Sequence, residues 1–307
     1  MTDVIIVGAG PAGMSAAIYA LRSGKTVTVL EGETIGGQMS NSPRIENFPT
    51  VKASSGSDLA DKMFEQMTDL GAELELDRVV EVIKRGEGDF LVKCEYNDYE
   101  AKAVIWATGA KHRHIGVAGE EDLIGKGVSY CALCDGAFFT GEDVVMIGDA
   151  NTALSYTMFL SNCCKHVYIC TLFDRFFGEK AMVDAVLARE NVSYEHCLEL
   201  QRFLIDDQGS LKGLIFKNTK DGTEREYDVK GCFIAVGQVP NNDAIKGLVD
   251  LDKGGYVVAG EDTLTKTAGL FVAGDCRSKR IRQVTTACAD GSVAAIAATS
   301  YIDALKK

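Results

Sequence analysis

Apolar residues enter the chain as a short unbroken run, Val4-Ile5-Ile6-Val7, the pattern of a parallel strand buried on both faces. A glycine-rich turn follows, and then an apolar pattern through Ala20 that reads as a helix. Thr26 to Leu30 predicts the next strand, and Ser57 to Leu70 carries Leu59, Met63, Met67 and Leu70 on one side of an amphipathic helix. Several short β-like segments come next, and the stretch from Ala103 ends as strand then turn at Ala110. After His114 the theme restarts. Val144-Val145-Met146-Ile147 is a second buried strand, Gly148 to Ala153 a second turn, and Val167 to Cys170 the strand beyond its helix. This unit closes near Phe233 to Asn241. Leu270 to Val272 then predicts a strand ending at Asp275, and a long Ala-rich helix runs from Gln283. The pattern predicts an α/β chain of two Rossmann-like nucleotide-binding domains of the three-layer ββα type, the second inserted into the first. Residues 1–113 and 242–307 form the first domain, and residues 114–241 form the insertion.

Gly8-Ala9-Gly10-Pro11-Ala12-Gly13 places G-x-G-x-x-G between a strand and a helix, the context that gives the motif meaning. Gly8 makes the tight turn, Gly10 lets a pyrophosphate approach the backbone, and Gly13 allows close helix–strand packing. The helix N-terminus then faces the phosphates. Glu31 ends the second strand, where a carboxylate accepts from a ribose hydroxyl. Together these favour a dinucleotide site over an ordinary βα turn. Gly36-Gly37-Gln38 and Glu46-Asn47-Phe48-Pro49 follow as loop signals.

Tyr130-Cys131-Ala132-Leu133-Cys134-Asp135-Gly136 carries the densest chemistry. A Cys-x-x-Cys pair lowers the pKa of one thiol and closes on itself, which is the equipment for thiol–disulfide exchange. Asp135 is placed to protonate the departing thiolate. Half of a zinc site and two structural cysteines are the alternatives. Zinc takes four ligands, there is no second Cys-x-x-Cys, and none of the four histidines is near in sequence, so no metal is expected.

Composition narrows the setting. The 307 residues suggest two domains, and 46% hydrophobic content suffices for their cores. No basic and apolar leader precedes the first strand, and no apolar run is long enough for a bilayer span. Ten cysteines in such a chain are expected to be mostly reduced, which points to the cytoplasm. Adjacent Cys163 and Cys164 have poor geometry for a disulfide and read as packing residues. A net charge of −12 argues against nucleic acid, and against acidic protein partners in the absence of a local basic patch.

These motifs, in this order and over nearly the whole chain, resemble the low-molecular-weight thioredoxin reductases. The resemblance rests on the first glycine motif, Gly36-Gly37-Gln38, Glu46-Asn47, Ala107-Thr108-Gly109, Cys131-x-x-Cys134-Asp135, Gly274-Asp275 and Arg282-Gln283. It implies a homodimer whose subunits bind FAD in one domain and carry the dithiol on the inserted pyridine-nucleotide domain. It implies FAD contacts at Gly8, Gly10, Pro11, Ala12, Gly13, Glu31, Gly37, Gln38, Asn47, Ala107, Thr108 and Gly109. Gly274 and Asp275 would meet the ribityl chain, and Arg282, Gln283 and Val284 the isoalloxazine ring. Cys131 and Cys134 would pass electrons from reduced flavin to a thioredoxin disulfide, with Asp135 as proton donor.

The second nucleotide turn departs from the family. It reads Gly148-Asp149-Ala150, which puts a methyl group and a carboxylate where a pyrophosphate belongs. Thr171-Leu172-Phe173 stands where the family has His-Arg-Arg to grip the NADPH 2′-phosphate, and Phe177 replaces a further basic residue. Two lost charge-assisted hydrogen bonds amount to roughly 3–6 kcal/mol, on the order of 10²–10⁴ in affinity. Thr171 also stands where an NAD site has its ribose-binding acid. In this the chain resembles the ferredoxin-dependent flavin thioredoxin reductases, which implies reduced ferredoxin as donor. An NAD(P)H-dependent reductase, an FAD-linked dithiol oxidase using oxygen and a flavoprotein sensor remain as alternatives. Ferredoxins are acidic, so a docking patch is expected at Arg277, Lys279 and Arg280, within the densest basic run of the chain.

Overall fold

The computed structural model describes residues 1–305. The chain divides into two compact units, Met1–Lys111 with Val239–Lys307, and His112–Gln238. The sequence expectation set these boundaries after residues 113 and 241. In the structure His112 groups with the second unit, where its ring stacks on Tyr130 at a centroid distance of 5.0 Å.

The first unit opens with β1 (Thr2–Val7), α1 (Pro11–Arg22) and β2 (Val27–Leu30). α2 (Gly56–Asp69) follows, where Ser55 accepts from the Asp58 amide at 3.0 Å as N-cap. β3 (Glu73–Glu75), β4 (Val79–Gly86), β5 (Asp89–Cys94) and β6 (Asp98–Trp106) complete this half. Parallel pairing runs β3-β2-β1-β6, and β6 also turns antiparallel to β5 through Phe90↔Ala101 and Lys93↔Asp98. Val4 to Val7 are at most 4% exposed, as an unbroken apolar strand between two layers should be.

β7 (Ala110–His112) leads into the second unit. There β8 (Val128–Ser129), the one-turn helix α3 (Ala132–Asp135), β9 (Asp143–Ile147), α4 (Asn151–Leu160), β10 (His166–Cys170), α5 (Lys180–Leu187) and β11 (Val192–Glu195) come first. β12 (Leu198–Ile205), β13 (Leu211–Asn218), β14 (Glu224–Asp228) and β15 (Gly231–Ile234) follow, and β16 (Gln238–Pro240) leads back into the first unit. Five parallel strands order as β11-β10-β9-β15-β8, and β12-β13-β14 form a separate antiparallel sheet.

Returning to the first unit, β17 (Leu270–Val272) pairs parallel to β6 through Leu270↔Val104 and Val272↔Trp106. α6 (Val284–Ala304) packs on α1, burying Ala294, Ala295, Ala298 and Ile302 completely. No helix among the described residues is long and apolar enough to cross a membrane. The two-unit α/β fold of parallel sheets agrees with the architecture expected from the apolar pattern.

Candidate active site

The first unit gathers its glycine loops at the C-terminal end of β1. Gly8 has φ +107°, and a Cβ there would stand 2.5 Å from the Ala107 carbonyl oxygen, so only glycine fits. A Cβ on Gly13 would stand 1.8 Å from the Gly8 oxygen, which is the close helix–strand packing the motif predicts. Gly10 faces open space, ahead of Pro11 and Ala12 at the start of α1. The loop through Gly36 is drawn over this turn. The Gly36 amide donates to the Ala9 oxygen at 2.8 Å, and a Cβ on Gly37 would lie 3.6 Å from the Gly10 Cα. Gln38 continues that loop as a short 3₁₀ turn. Glu31 accepts from the Ala9 amide and the Glu33 amide, both at 2.7 Å. Its carboxylate is thereby fixed at the mouth of the turn with lone pairs to spare for a ribose. A cleft beside it is lined by Gly8, Glu31, Arg78, Trp106 and Thr108.

The chain's far end closes on the same unit. Asn47 donates to Gln283 Oε1 at 3.1 Å, joining two residues singled out from sequence. Gln283 caps α6, its side chain and that of Thr286 each bonding the other's backbone amide, and Val284 begins the helix. Thr108 donates to the Asn241 oxygen at 3.0 Å, between Ala107 and Gly109, the latter at φ +67°. Asp275 Oδ1 and Arg282 Nε are buried without hydrogen-bond partners, and the Arg282 guanidinium lies 4.3 Å from the Tyr256 ring centre. Burial pushes the Asp275 carboxyl up, against the pull of Lys279 at 3.5 Å. An Asp275 oxygen met only by the Lys279 ion pair and an Arg282 donor without a hydrogen bond, with open backbone at Gly10, fit a dinucleotide that carries hydroxyls, phosphates and a polar ring. FAD meets that description.

One residue absent from the sequence reading organises this corner. Asp290, 7% exposed on α6, accepts from the Gly274 amide at 3.0 Å. It also takes Arg277 Nε and Nη2, each at 2.8 Å, and Lys279 at 3.0 Å. This overturns the expected basic docking patch. Arg277 is 7% exposed and the Lys279 side chain 7%, because both charges neutralise a buried carboxylate; Arg280 is the exposed one of the three. Seen as sequence, Asp290 is an acid set among alanines in the first half of an Ala-rich helix, and that was the available signal.

In the second unit Cys131 and Cys134 form a disulfide. Cys131 is the N-cap of α3, its sulfur accepting from the Cys134 amide at 3.2 Å. Asp135 follows on the same turn. Burial pushes its carboxyl above the ordinary carboxylate range, although the Ser129 hydroxyl donates to Oδ2 at 2.6 Å and pulls the other way. Oδ1 is buried without a hydrogen-bond partner. Ser129 Oγ also accepts from the Cys131 amide at 3.0 Å, so one hydroxyl links the dithiol backbone to the acid. Sequence reasoning missed Ser129, whose position two residues before Cys131 is its only signature. Tyr130 anchors the preceding chain. Its hydroxyl donates to Glu120 at 2.6 Å and lies 3.1 Å from His114 Nδ1. Burial holds His112, stacked on the same ring, down at about 4.

The second nucleotide turn is closed by its own loop. Ala150 is the N-cap of α4 and offers no side-chain hydrogen bond. Burial pushes the Asp149 carboxyl up. The Phe177 amide donates to the Asp149 oxygen at 2.7 Å, and Glu179 and Asn151 exchange hydrogen bonds at 2.7 and 3.2 Å. Thr171 is fully buried, its hydroxyl engaged with His196 at 2.6 Å and the Phe173 oxygen at 2.8 Å. Leu172, Phe173 and Phe177 are each about half exposed, and the Arg175 guanidinium lies 4.9 Å from the Phe177 ring centre.

Comparison with known proteins gives one consistent answer. The profile of the pyridine nucleotide-disulphide oxidoreductase family matches residues 2–291. A thioredoxin reductase of Listeria monocytogenes is 38% identical over 99% of this chain and 95% of its own. A 34.2 kDa protein in the rubredoxin operon of Clostridium pasteurianum is 37% identical, over 98% and 97%. The crystal structure of thioredoxin reductase from Streptococcus pyogenes superposes with a TM-score of 0.94 at 35% identity, covering 99% of both chains.

Proposed function

The chain belongs to the low-molecular-weight thioredoxin reductases of the pyridine nucleotide-disulphide oxidoreductase family, FAD-binding flavoprotein disulfide reductases, and from that premise we propose that it reduces thioredoxin with electrons from reduced ferredoxin. The observation that carries the choice of donor is the second nucleotide turn. A pyrophosphate there would meet the Ala150 methyl and the Asp149 carboxylate, and Thr171 is turned inward to His196. Phe173 and Phe177 stand where a 2′-phosphate would need cations, and the loop's one arginine, Arg175, is stacked on Phe177. The loss of roughly 3–6 kcal/mol inferred from the missing cations puts NADPH binding no tighter than about millimolar. The operon of the Clostridium pasteurianum relative, named for rubredoxin, is in keeping with a protein donor.

In this reading Glu31 holds the ribose end of FAD, the turn from Gly8 to Gly13 its phosphates, and Asp275 and Arg282 its ribityl chain and ring. FAD held there would supply the chemistry that converts single electrons into the pair a disulfide takes up. The chain's own chemistry then starts from the open Cys131–Cys134 dithiol. One thiolate attacks the thioredoxin disulfide, a mixed disulfide forms, and the second thiolate resolves it as the Cys131–Cys134 bond closes. Asp135, whose carboxyl pKa is raised by burial, gives its proton to the thiolate that leaves. Ser129 holds that carboxyl toward the dithiol turn. A homodimer is the assembly this reading takes, and eight free cysteines beside the single disulfide suit a reducing, cytoplasmic setting.

Anaerobic thioredoxin reduction with NADPH, NADH and photoreduced ferredoxin, run side by side, tests the proposal. Turnover with ferredoxin alone is the expected result. Turnover with either nicotinamide cofactor at micromolar concentration overturns the choice of donor, and peroxide release from small dithiols in air, without thioredoxin turnover, favours the dithiol oxidase.

A further inference from the structure

Sulfurs also meet away from the redox disulfide. Cys163 and Cys164 close the turn between α4 and β10, and their Sγ atoms lie 3.9 Å apart. Cys164 is 5% exposed and Cys163 is half-buried, so the pair is reached from the Cys163 side. The backbone around them is held on every side. Cys163 O accepts from the Gly141 amide at 2.9 Å, and Asn191 Nδ2 donates to Ser161 O at 2.9 Å and to Cys164 O at 3.2 Å. The Lys165 amide donates to Glu142 O at 2.9 Å. A direct S–S bond of about 2.05 Å would have to pull this turn apart.

The buried thiol of the pair is also a poor nucleophile. Cys163 Sγ faces the carbonyl oxygens of Leu160, Gly136 and Phe159 at 3.5, 3.7 and 3.9 Å. Burial, with Cys163 beside it, pushes the Cys164 thiol up to about 12. Cys164 therefore does not supply the thiolate that disulfide exchange needs. A metal ion is equally unsuited, because no group of three or more His, Cys, Asp or Glu among the described residues could hold one. With sulfur bonds of about 2.3 Å, a linear two-coordinate ion would hold the sulfurs about 4.6 Å apart, wider than this pair. A pyramidal atom bridging two sulfurs at a bent angle has to draw them in by a few tenths of an ångström from 3.9 Å, a far smaller movement than a direct S–S bond demands.

We propose that Cys163 and Cys164 form a binding site for trivalent organoarsenicals, seated against the Gly136 carbonyl one residue beyond Asp135. An arsenoxide, R–As=O, reacts with both thiols. Two As–S bonds form, the As=O bond breaks, the two thiol protons leave with the oxygen as water, and arsenic stays trivalent. No oxidant is consumed and no free thiolate has to accumulate. The remaining free cysteines lack this pairing at the surface: Cys94, Cys170, Cys197, Cys232 and Cys276 are buried, and Cys288 lies on α6.

The test uses the oxidised FAD holoenzyme, in which the closed Cys131–Cys134 disulfide cannot react, with phenylarsine oxide as probe. Intact-mass spectrometry should show one arsenical per chain, removed by a small dithiol and retained in a tenfold excess of monothiol. Denaturing maleimide labelling should fall from the eight free thiols to six, a readout that needs no variant. Cys163→Ala and Cys164→Ala, checked for retained FAD absorbance, should each lose the adduct. Absence of an adduct on the wild type, eight labelled thiols after loading, or an adduct that survives in the double variant overturns the proposal.

Discussion

Burial beside a reactive disulfide raises the pKa of the Asp135 carboxyl above that of an exposed one and so favours its protonated form. The Ser129 hydroxyl is the one contact that favours its charged form. Ser129→Ala should therefore raise the Asp135 pKa further and move the descending limb of the thiol-exchange pH profile to higher pH, with FAD retained. Asp135→Asn should lower the exchange rate by about 10²–10⁴-fold, the range of general acid catalysis. A profile that stays in place in the serine variant, in single-turnover thioredoxin reduction, removes Ser129 from this role. Asp290 behaves in the opposite sense. Burial pushes its carboxyl up, but Arg277 and Lys279 prevail and hold it below the ordinary value. Its contribution to stability is thus present above the unfolded pKa of about 3.9 and is lost as the pH falls through the depressed folded value. Asp290→Asn removes the counter-charge of buried Arg277 and leaves Lys279 with Asp275 alone, and should cost about 3–5 kcal/mol near neutral pH. Thermal unfolding of wild type and variant should converge in acid; a constant difference down to pH 2 contradicts this account. Neither Ser129 nor Asp290 was legible as a functional residue. Each acts through a partner fixed by the fold, Ser129 by the α3 turn and Asp290 by the return of the chain at Gly274, and single-sequence patterns carry no such pairing.

Elements with a strong apolar signature were legible close to their ends. The helix expected over 57–70 spans Gly56–Asp69, and the strands expected over 144–147 and 167–170 span Asp143–Ile147 and His166–Cys170. The antiparallel sheet of β12, β13 and β14 was not specified, because stretches such as Leu198–Ile205 mix polar and apolar residues with a register shift between Leu200 and Arg202. The basic run at 277–282 misled for a different reason. Charge density in sequence says nothing of a buried partner sixteen residues from Gly274 on another element. Packing of α1 on α6 gives the element-scale prediction. Ser15 donates to the Cys288 oxygen at 2.8 Å, and a Cβ on Gly291 would stand 2.0 Å from the Ala12 oxygen. Because backbone has to move, Gly291→Ala should destabilise by about 1–3 kcal/mol, the usual range for overpacking, and loosen FAD through the displaced turn at Gly10 to Gly13. A variant with unchanged melting temperature and FAD retention contradicts the packing described.

At the scale of the whole molecule, 44 acidic and 32 basic residues leave a net charge of −12. With Arg277 and Lys279 spent internally, an acidic donor approaches a surface poorer in cations than the sequence suggested. Ferredoxin-driven reduction should therefore speed up as salt is raised from low ionic strength, since screening relieves repulsion between like-charged partners. The central claim is that the flavin is reached by a protein donor and not through the second nucleotide turn. The most direct measurement is the anaerobic flavin absorbance spectrum of the holoenzyme, recorded first with excess NADPH and then with reduced ferredoxin. The account predicts that the flavin band persists with NADPH and bleaches with ferredoxin; bleaching by micromolar NADPH would contradict it.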